Sequence, residues 1–493
     1  MRLDDDLRYF ETQEFKKILA RYEAAREAGS SIYMDADELT DVAEYYTMVL
    51  NNDDLANEAI ELAIHLHPDA VDPLIFQARQ LMLNGKTEAA KMACDQIPDQ
   101  QHREVLFLRA ELMVRDGKNE EAVNYLLDCS DGIMEDRDYF LFDSAYIFID
   151  YHDYVSAHLL ASELEKMAPK WFKTWELLAD IYLGESNNEQ ALVNIEKMLD
   201  KDPFYIDAWN WRSEAYCGLS DYTKAFESTD FALAVDPQNE RALELKAWVL
   251  MRQENFEGAH LLYIQLRKMN PESEIHCIYD SYCLFDMGKI DESLRLIERA
   301  EMLAEGMSPE QPAIFEHHAH ILSELSRVDE ALHYIDLAEQ AARSDQAKPE
   351  DQQQDFDYYR ARIYADNGET ELALKQIEII AGKNNENVET VVFQGALIFF
   401  EAGDYRVSLE LMKQLMRHSN DDALKSQCYP YLAACNHETG NSEECLENIR
   451  LAIENNSPEM KETLGYLFAE GVQPAEYYDY YYYKISGHWK EID

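Results

Sequence analysis

Basic residues are scarce in this chain: 44 Lys and Arg stand against 97 Asp and Glu, a formal charge of -53 distributed along 493 residues. That shortage excludes binding to phosphate backbones, which needs clustered Lys and Arg, and no such run occurs. An anionic membrane surface is disfavoured for the same reason. Long apolar runs are also missing. The start, Met1-Arg2-Leu3-Asp4-Asp5-Asp6, has no apolar leader core, and no later stretch of about 18 apolar residues could span a bilayer, so a cytoplasmic chain is expected. The eight cysteines include no C-x-x-C pair. Reduced, buried thiols are the natural reading, and zinc would want clustered Cys and His. No G-x-S-x-G, no glycine loop for phosphate and no H-E-x-x-H is present, so the sequence offers no catalytic residues, no metal site and no cofactor. Glu316, His317, His318 and His320 crowd one segment, with Glu316 and His320 spaced for one helix face, but no second cluster completes a coordination sphere.

What is present is a ladder of prolines. Pro169, Pro203, Pro237 and Pro271 are each 34 residues apart, a period that marks stacked repeats, in which one unit cannot bury its apolar face without a neighbour. Between them, Trp175, Leu178, Ala179 and Tyr182 are followed by Ala191, Ile195, Met198 and Pro203. Spacings of three or four put each group on one face of a helix, so each repeat holds two helices joined by a turn, here Gly184 to Asn188. Small residues recur where large ones would force the helices apart. Proline lacks a backbone donor and clashes with a continuing helix, so Asp202-Pro203, Asp236-Pro237 and Asn270-Pro271 read as stops. Outside the middle the pattern loosens: Arg212 stands where Leu178 stood one repeat earlier, and Ser293 and Cys445 replace the expected Ala.

An aromatic, a Leu, a small residue and a Tyr on the first helix, then Ala, a bulky apolar residue, Ala and Pro, closely resemble the tetratricopeptide repeat family. The resemblance implies an all-α, right-handed superhelical solenoid of about twelve stacked helix-turn-helix repeats. Followed by spacing, an N-terminal capping helix over 1–36, with a stripe of Phe10, Phe15, Ile18, Leu19 and Tyr22, precedes an array over 37–305 with units starting near 37, 71, 103, 138, 172, 206, 240 and 274. A continuing array over 306–458 has units near 312, 354, 389 and 426, and 459–493 holds a closing helix, expected over Met460 to Phe468, and a Tyr-rich tail. The widest spacings, around 305–311 and 343–353, read as loops. About 36 residues at each end leave no room for a catalytic domain, so this chain is expected not to be an enzyme.

In the family it resembles, first helices line a concave face that binds extended peptides or partner helices. Transferred by spacing, that face carries Tyr45, Phe107, Phe142, Tyr146, Trp248, Tyr282, Phe285, Tyr358, Phe393 and Phe400, with Glu111, Asp180, Glu214 and Glu244 among them and Arg79, Arg115 and Arg362 as isolated basic points. Core packing is the competing role for every aromatic. The acidity either keeps a large helical protein in solution or forms a groove for basic or extended protein segments. One subfamily grips chaperone C-terminal carboxylates through Lys, Arg and Asn. Lys173, Asn210 and Arg241 occur here, but Glu176, Asp180, Glu214 and Glu244 share their faces and would repel a carboxylate. The leading expectation is a non-catalytic scaffold for a protein or peptide. The alternatives are a self-assembling repeat protein or an accessory subunit of an enzyme complex. The tail, with six tyrosines between Tyr477 and Tyr483, reads as a strip lying back on the last repeat, with a disordered recognition segment or a self-association site as the alternatives, and Trp489 beyond it favours docking.

Overall fold

The computed structural model describes residues 9–133, 135–304, 308–344, 356–383, 388–469 and 471–487. The loop expected at 343–353 and Trp489 lie almost wholly outside them. Among the described residues the secondary structure is helical throughout, with no strand, and none of the helices is long and apolar enough to cross a membrane.

After a leading helix, Gln13–Glu27, the helices come in twelve pairs: Ala36–Met48 with Asp53–Leu66, Val71–Leu83 with Thr87–Gln96, Arg103–Arg115 with Asn119–Asp131, Arg137–Asp150 with Tyr154–Met167, Phe172–Gly184 with Asn188–Lys201, Ile206–Gly218 with Tyr222–Val235, Glu240–Arg252 with Phe256–Met269, Glu274–Asp286 with Ile290–Ala304, Gln311–Glu324 with Val328–Ser344, Phe356–Asp366 with Thr370–Lys383, Val388–Glu401 with Tyr405–His418, and Asp422–Glu438 with Ser442–Glu454. Contacts divide the chain into two units, Met1–Leu245 and Lys246–Asp493.

The turn inside each pair has a common chemistry. The first helix of the fifth pair ends with Asn187 N–H donating back to Tyr182 O at 2.8 Å, across a left-handed Ser186 at φ 58°. That is the bond pattern that satisfies the last free carbonyls of a helix. Asn187 Oδ1 then accepts from Gln190 N–H and starts the second helix, and Asp153, Asp221, Asn255 and Asp404 cap in the same way. Glycine holds the left-handed position in most of the outer repeats, as at Gly117 and Gly403, with Asn51 and Ser326 as the exceptions. In the regular middle His152, Ser186, Ser220 and Glu254 hold it instead, against their steric preference.

The prolines stop helices and also anchor the next one. Second helices end at Met167, Lys201, Val235 and Met269, each two residues before its proline. The Trp175 indole N–H donates to Pro169 O at 3.0 Å, and Trp209 donates to Pro203 O at 2.9 Å. Trp209→Phe keeps the stack on Phe231, at 4.6 Å between centroids, but loses this bond. An expected loss of about 1 kcal/mol would be read from urea unfolding, and unchanged stability would remove the anchoring role.

Close packing uses the small residues. Ala179, Ala191, Ala208, Ala225 and Ala232 are fully buried, where an added methylene typically costs about 1 to 3 kcal/mol. The departures from the repeat pattern are compensated chemically. Ser293 replaces Ala because its hydroxyl donates to Ser281 O at 2.8 Å. Cys445 is a buried free thiol, as is Cys428, whose thiol burial pushes up to about 12. Arg212 replaces Leu by pairing with Glu196 at 2.7 Å while its guanidinium lies 5.0 Å from the Tyr216 ring centroid.

In the first unit the core is a series of clusters. Phe10, Phe15 and Tyr22 of the leading segment pack on Leu39, Val42 and Tyr46, and separate clusters follow around Leu108, Phe148 and Ile195. The second unit repeats this with clusters around Ile321, Phe399, Met412 and Ile449. Its far end is closed by a short helix, Met460–Leu464, which gives way at Gly465 to a 3₁₀ turn, Gly465–Leu467, so the helix is shorter than the 460–468 expected. Glycine's poor helix propensity accounts for the break. The tail forms a helix, Tyr477–Ser486, that buries Tyr477 and Tyr481 and leaves Tyr480 and Tyr483 exposed.

Candidate functional site

Within each unit, consecutive first helices lie side by side, so residues pointing away from the second helices line grooves. In the first unit a groove of about 520 Å³ runs over Ala36–Met48 and Val71–Leu83 to Glu104. Asp37, Asp41, Glu44, Asp72 and Glu104 line it, with Arg79 as the single cation. Arg79 pairs with Glu104 at 3.0 Å and Glu111 at 3.4 Å. Burial raises the Glu111 carboxyl above its ordinary range even beside that guanidinium, and burial does the same to Asp180, which accepts a hydrogen bond from Tyr146.

In the second unit two adjoining cavities share Tyr359 and Arg362. One, about 220 Å³, is bounded by Tyr282, Glu316, His317, His320 and Asp366. The other, about 410 Å³, is bounded by Tyr358, Gln394, Leu397, Ile398 and Glu401. Arg362 reaches Glu401 at 2.6 Å.

The ten aromatics expected on a binding face separate by environment. Phe107, Phe142 and Phe393 are buried: Phe107 stacks on Phe140 at 5.0 Å, Phe142 meets Tyr146 and Trp171, and Phe393 meets Tyr431 edge-on. Their rings serve the core. Tyr45 is half-buried against Phe10 and Phe15, so the leading helix covers it. Tyr146, Trp248, Tyr282, Phe285, Tyr358 and Phe400 keep partial exposure. Tyr282 and Phe285 meet at the histidine cluster, Tyr358 lies one helix further along, Phe400 lies between Tyr405 and Tyr431, and Trp248 sits under the Arg252 guanidinium at 5.5 Å. Spacing missed Thr40, Phe76 and Tyr359. Tyr359 is the neighbour of a residue that spacing did select, and its place between two cavities depends on the adjacent helix.

The basic points are not isolated. Arg115 donates to Met82 O at 2.7 Å and Tyr151 Oη at 2.8 Å, and Arg79 and Arg362 are paired as above. Lys173 is held by Glu176 at 3.0 Å, buried Asn210 donates to Asn239 Oδ1 at 3.2 Å, and Arg241 pairs with Glu214 at 2.7 Å. All three side chains of a carboxylate grip are engaged with neighbours.

The histidines diverge rather than converge. Buried His317 lies 3.9 Å from the Tyr282 ring, with Nε2 3.1 Å from Ser281 Oγ. Buried His318 turns to the other side, 3.8 Å from the Tyr334 ring and 3.2 Å from Glu301 Oε2. Exposed His320 packs on Phe285 at 4.6 Å. Desolvation pushes the His317 imidazole down to about 3 and lowers His318 and His320 as well, so these rings are held toward their neutral forms.

No family model matches the chain. Tetratricopeptide repeat protein 16 of Mus musculus is 25% identical over 118 residues, 22% of this chain. The chain spans only 15% of the length of that curated relative. Among solved structures, a tetratricopeptide repeat protein from Parabacteroides merdae is 19% identical, with 49% of this chain and 94% of that chain covered and a TM-score of 0.40. PilF of Pseudomonas aeruginosa is 20% identical, covering 47% and 96% at a TM-score of 0.37, and the type IV pilus biogenesis factor PilW is 18% identical, covering 43% and 95% at 0.38.

Proposed function

We propose that this chain, an all-helical repeat array of tetratricopeptide type, works as a non-catalytic scaffold that holds an extended or helical segment of a partner protein along its first helices. One observation carries the reading. In the first-unit groove five carboxylates face one guanidinium, and that guanidinium is already paired. Like charges gathered along a groove raise its negative potential and attract a segment that brings positive charge. The half-exposed aromatics give such a segment places to anchor apolar side chains. Eight free thiols, six of them buried, fit work in a reducing compartment such as the cytoplasm.

A panel of labelled peptides of equal length, rich in Lys and Arg, in Glu, or in neutral residues, tests this by fluorescence anisotropy at low and high salt. Basic peptides with aromatic or aliphatic anchors are expected to bind, and to lose affinity as salt screens the groove. The combined substitution Asp41→Asn, Glu44→Gln and Asp72→Asn is expected to weaken them about tenfold, or ~1.4 kcal/mol. Equal binding of acidic peptides, or binding indifferent to salt, would overturn the reading.

A further inference from the structure

The first-unit groove has two chemically different ends with an amide between them. Its walls, Ala36–Met48 and Val71–Leu83, each carry an aspartate in the first turn, Asp37 and Asp72. Each wall also ends on an apolar residue that faces solvent, Met48 at 37% exposure and Leu83 at 64%. All four residues border the groove. Gln80 Nε2 donates to Thr47 Oγ1 at 3.4 Å, which holds the two C-terminal ends side by side. Arg79 is engaged by Glu104 and Glu111, and Asp41 accepts from Tyr9 at 2.8 Å, so the charge presented to a ligand comes first from Asp37 and Asp72. Gln80 is 8% exposed, and only one end of its amide is bonded. Its Oε1 has no hydrogen-bond partner among the described residues, while keeping accessible surface in the groove wall.

A half-bonded amide in a groove wall costs free energy once a ligand excludes water from it. A peptide unit offers both an N–H and a C=O, so the backbone of a bound segment satisfies the open end of Gln80 whichever of its atoms faces Thr47. A helical ligand cannot do this, because its interior N–H and C=O groups are bonded to each other. A second copy of this chain, at a formal charge of -53, would bring like charge to the aspartates. An extended segment with one basic and one aliphatic side chain meets all three features. The walls also set the distance between those side chains. Asp37 and Met48 stand near opposite ends of a 13-residue helix, about 17 Å apart at ~1.5 Å per residue. An extended chain rises about 3.3 Å per residue. With the reach of a long basic side chain included, the anchors fall at i and about i+4, which share one side of an extended chain.

We propose that this groove reads an extended partner segment at three points: a Lys or Arg side chain at Asp37 and Asp72, a backbone amide on Gln80, and an aliphatic side chain between Met48 and Leu83. This deepens the scaffold reading and rests on it for the basic character of the segment. Labelled peptides of one composition, with Lys and Leu at i and i+4 or at i and i+1, test it by anisotropy on the full chain. The i, i+4 peptide is expected to bind about tenfold more tightly, since only it can bury its Leu while its Lys meets the aspartates. N-methylation of the peptide bonds between the two anchors is expected to weaken it about tenfold, and Gln80→Leu to erase that difference. The methylated peptide keeps the test open if the Gln80 variant unfolds. Leu83→Ser is expected to weaken the i, i+4 peptide about tenfold and to leave a peptide with Gly in place of Leu unchanged. Equal affinity of the two isomers, indifference to N-methylation, as when water alone serves Gln80, or helical ¹³C shifts in the bound peptide would overturn the three-point reading. Salt-dependent preference for basic over acidic peptides is scored separately. If it persists while spacing and methylation have no effect, this inference fails and the scaffold reading stands; if no peptide binds, both fail.

Discussion

Asp280→Ala is expected to destabilise the second unit by about 3 to 5 kcal/mol, because it leaves two basic side chains around a hole where a buried carboxylate stood. Asp280 is 0% exposed and lies on the first helix Glu274–Asp286. Arg267 Nη2 approaches it at 2.6 Å and His260 Nδ1 at 2.5 Å, both from the preceding second helix, Phe256–Met269. The carboxylate can only accept, so Nδ1 carries the proton. Making such a node adds little net stability, since desolvating the charges offsets their attraction. Breaking it on one side is expensive because the partners stay behind. Urea unfolding measures the total, and hydrogen exchange locates it: protection should fall across residues 256–286 while Ala36–Leu66 stays as protected as before. A loss below about 1 kcal/mol would mean that the node behaves like a screened surface pair.

Tyr481→Ala is expected to cost nearly as much, about 3 to 5 kcal/mol, the usual range for emptying a large aromatic site. The ring is buried on Ser442–Glu454, and its hydroxyl lies 2.8 Å from His437 Nδ1. Tyr477, one helical turn before it, stacks on Phe468 at 4.0 Å with ring planes 9° apart. These two rings fasten the terminal helix. Tyr480 and Tyr483 belong to the same run but are 40% and 44% exposed, so alanine at either should change stability by less than about 0.5 kcal/mol. Thermal unfolding of the four single variants separates the fastening residues from the exposed ones. Equal effects at all four positions would mean that the helix does not dock through one face.

The proline ladder was legible because proline's lost donor and ring act locally, and the alanines were legible because close helix approach admits nothing larger. Trp175 was legible as an apolar repeat residue but not as a donor to Pro169 O, since a carbonyl partner leaves no mark on composition. The turns show the limit of propensity: Gly117 announces a left-handed residue, whereas Ser186 and Glu254 adopt the same conformation unannounced. For the aromatics, spacing assigns a helix face but not what covers it. Phe107 and Tyr282 were selected by one rule, yet Phe140 closes over the first while the second borders a cavity. The histidines stood out as a cluster, and their separation follows from helix geometry: adjacent residues project about 100° apart, so His317 and His318 reach different neighbours.

The bonds that join one repeat to the next are short in sequence. Trp209 answers a carbonyl six residues back, and the side-chain link between Asn367 and Ser323 spans 44 positions in a chain of 493. A fold held by such near contacts has little loop-closure entropy to overcome. It can assemble as it leaves the ribosome, at about 5 to 20 residues per second, with early repeats packed before later ones exist. The order of synthesis then becomes the order of folding.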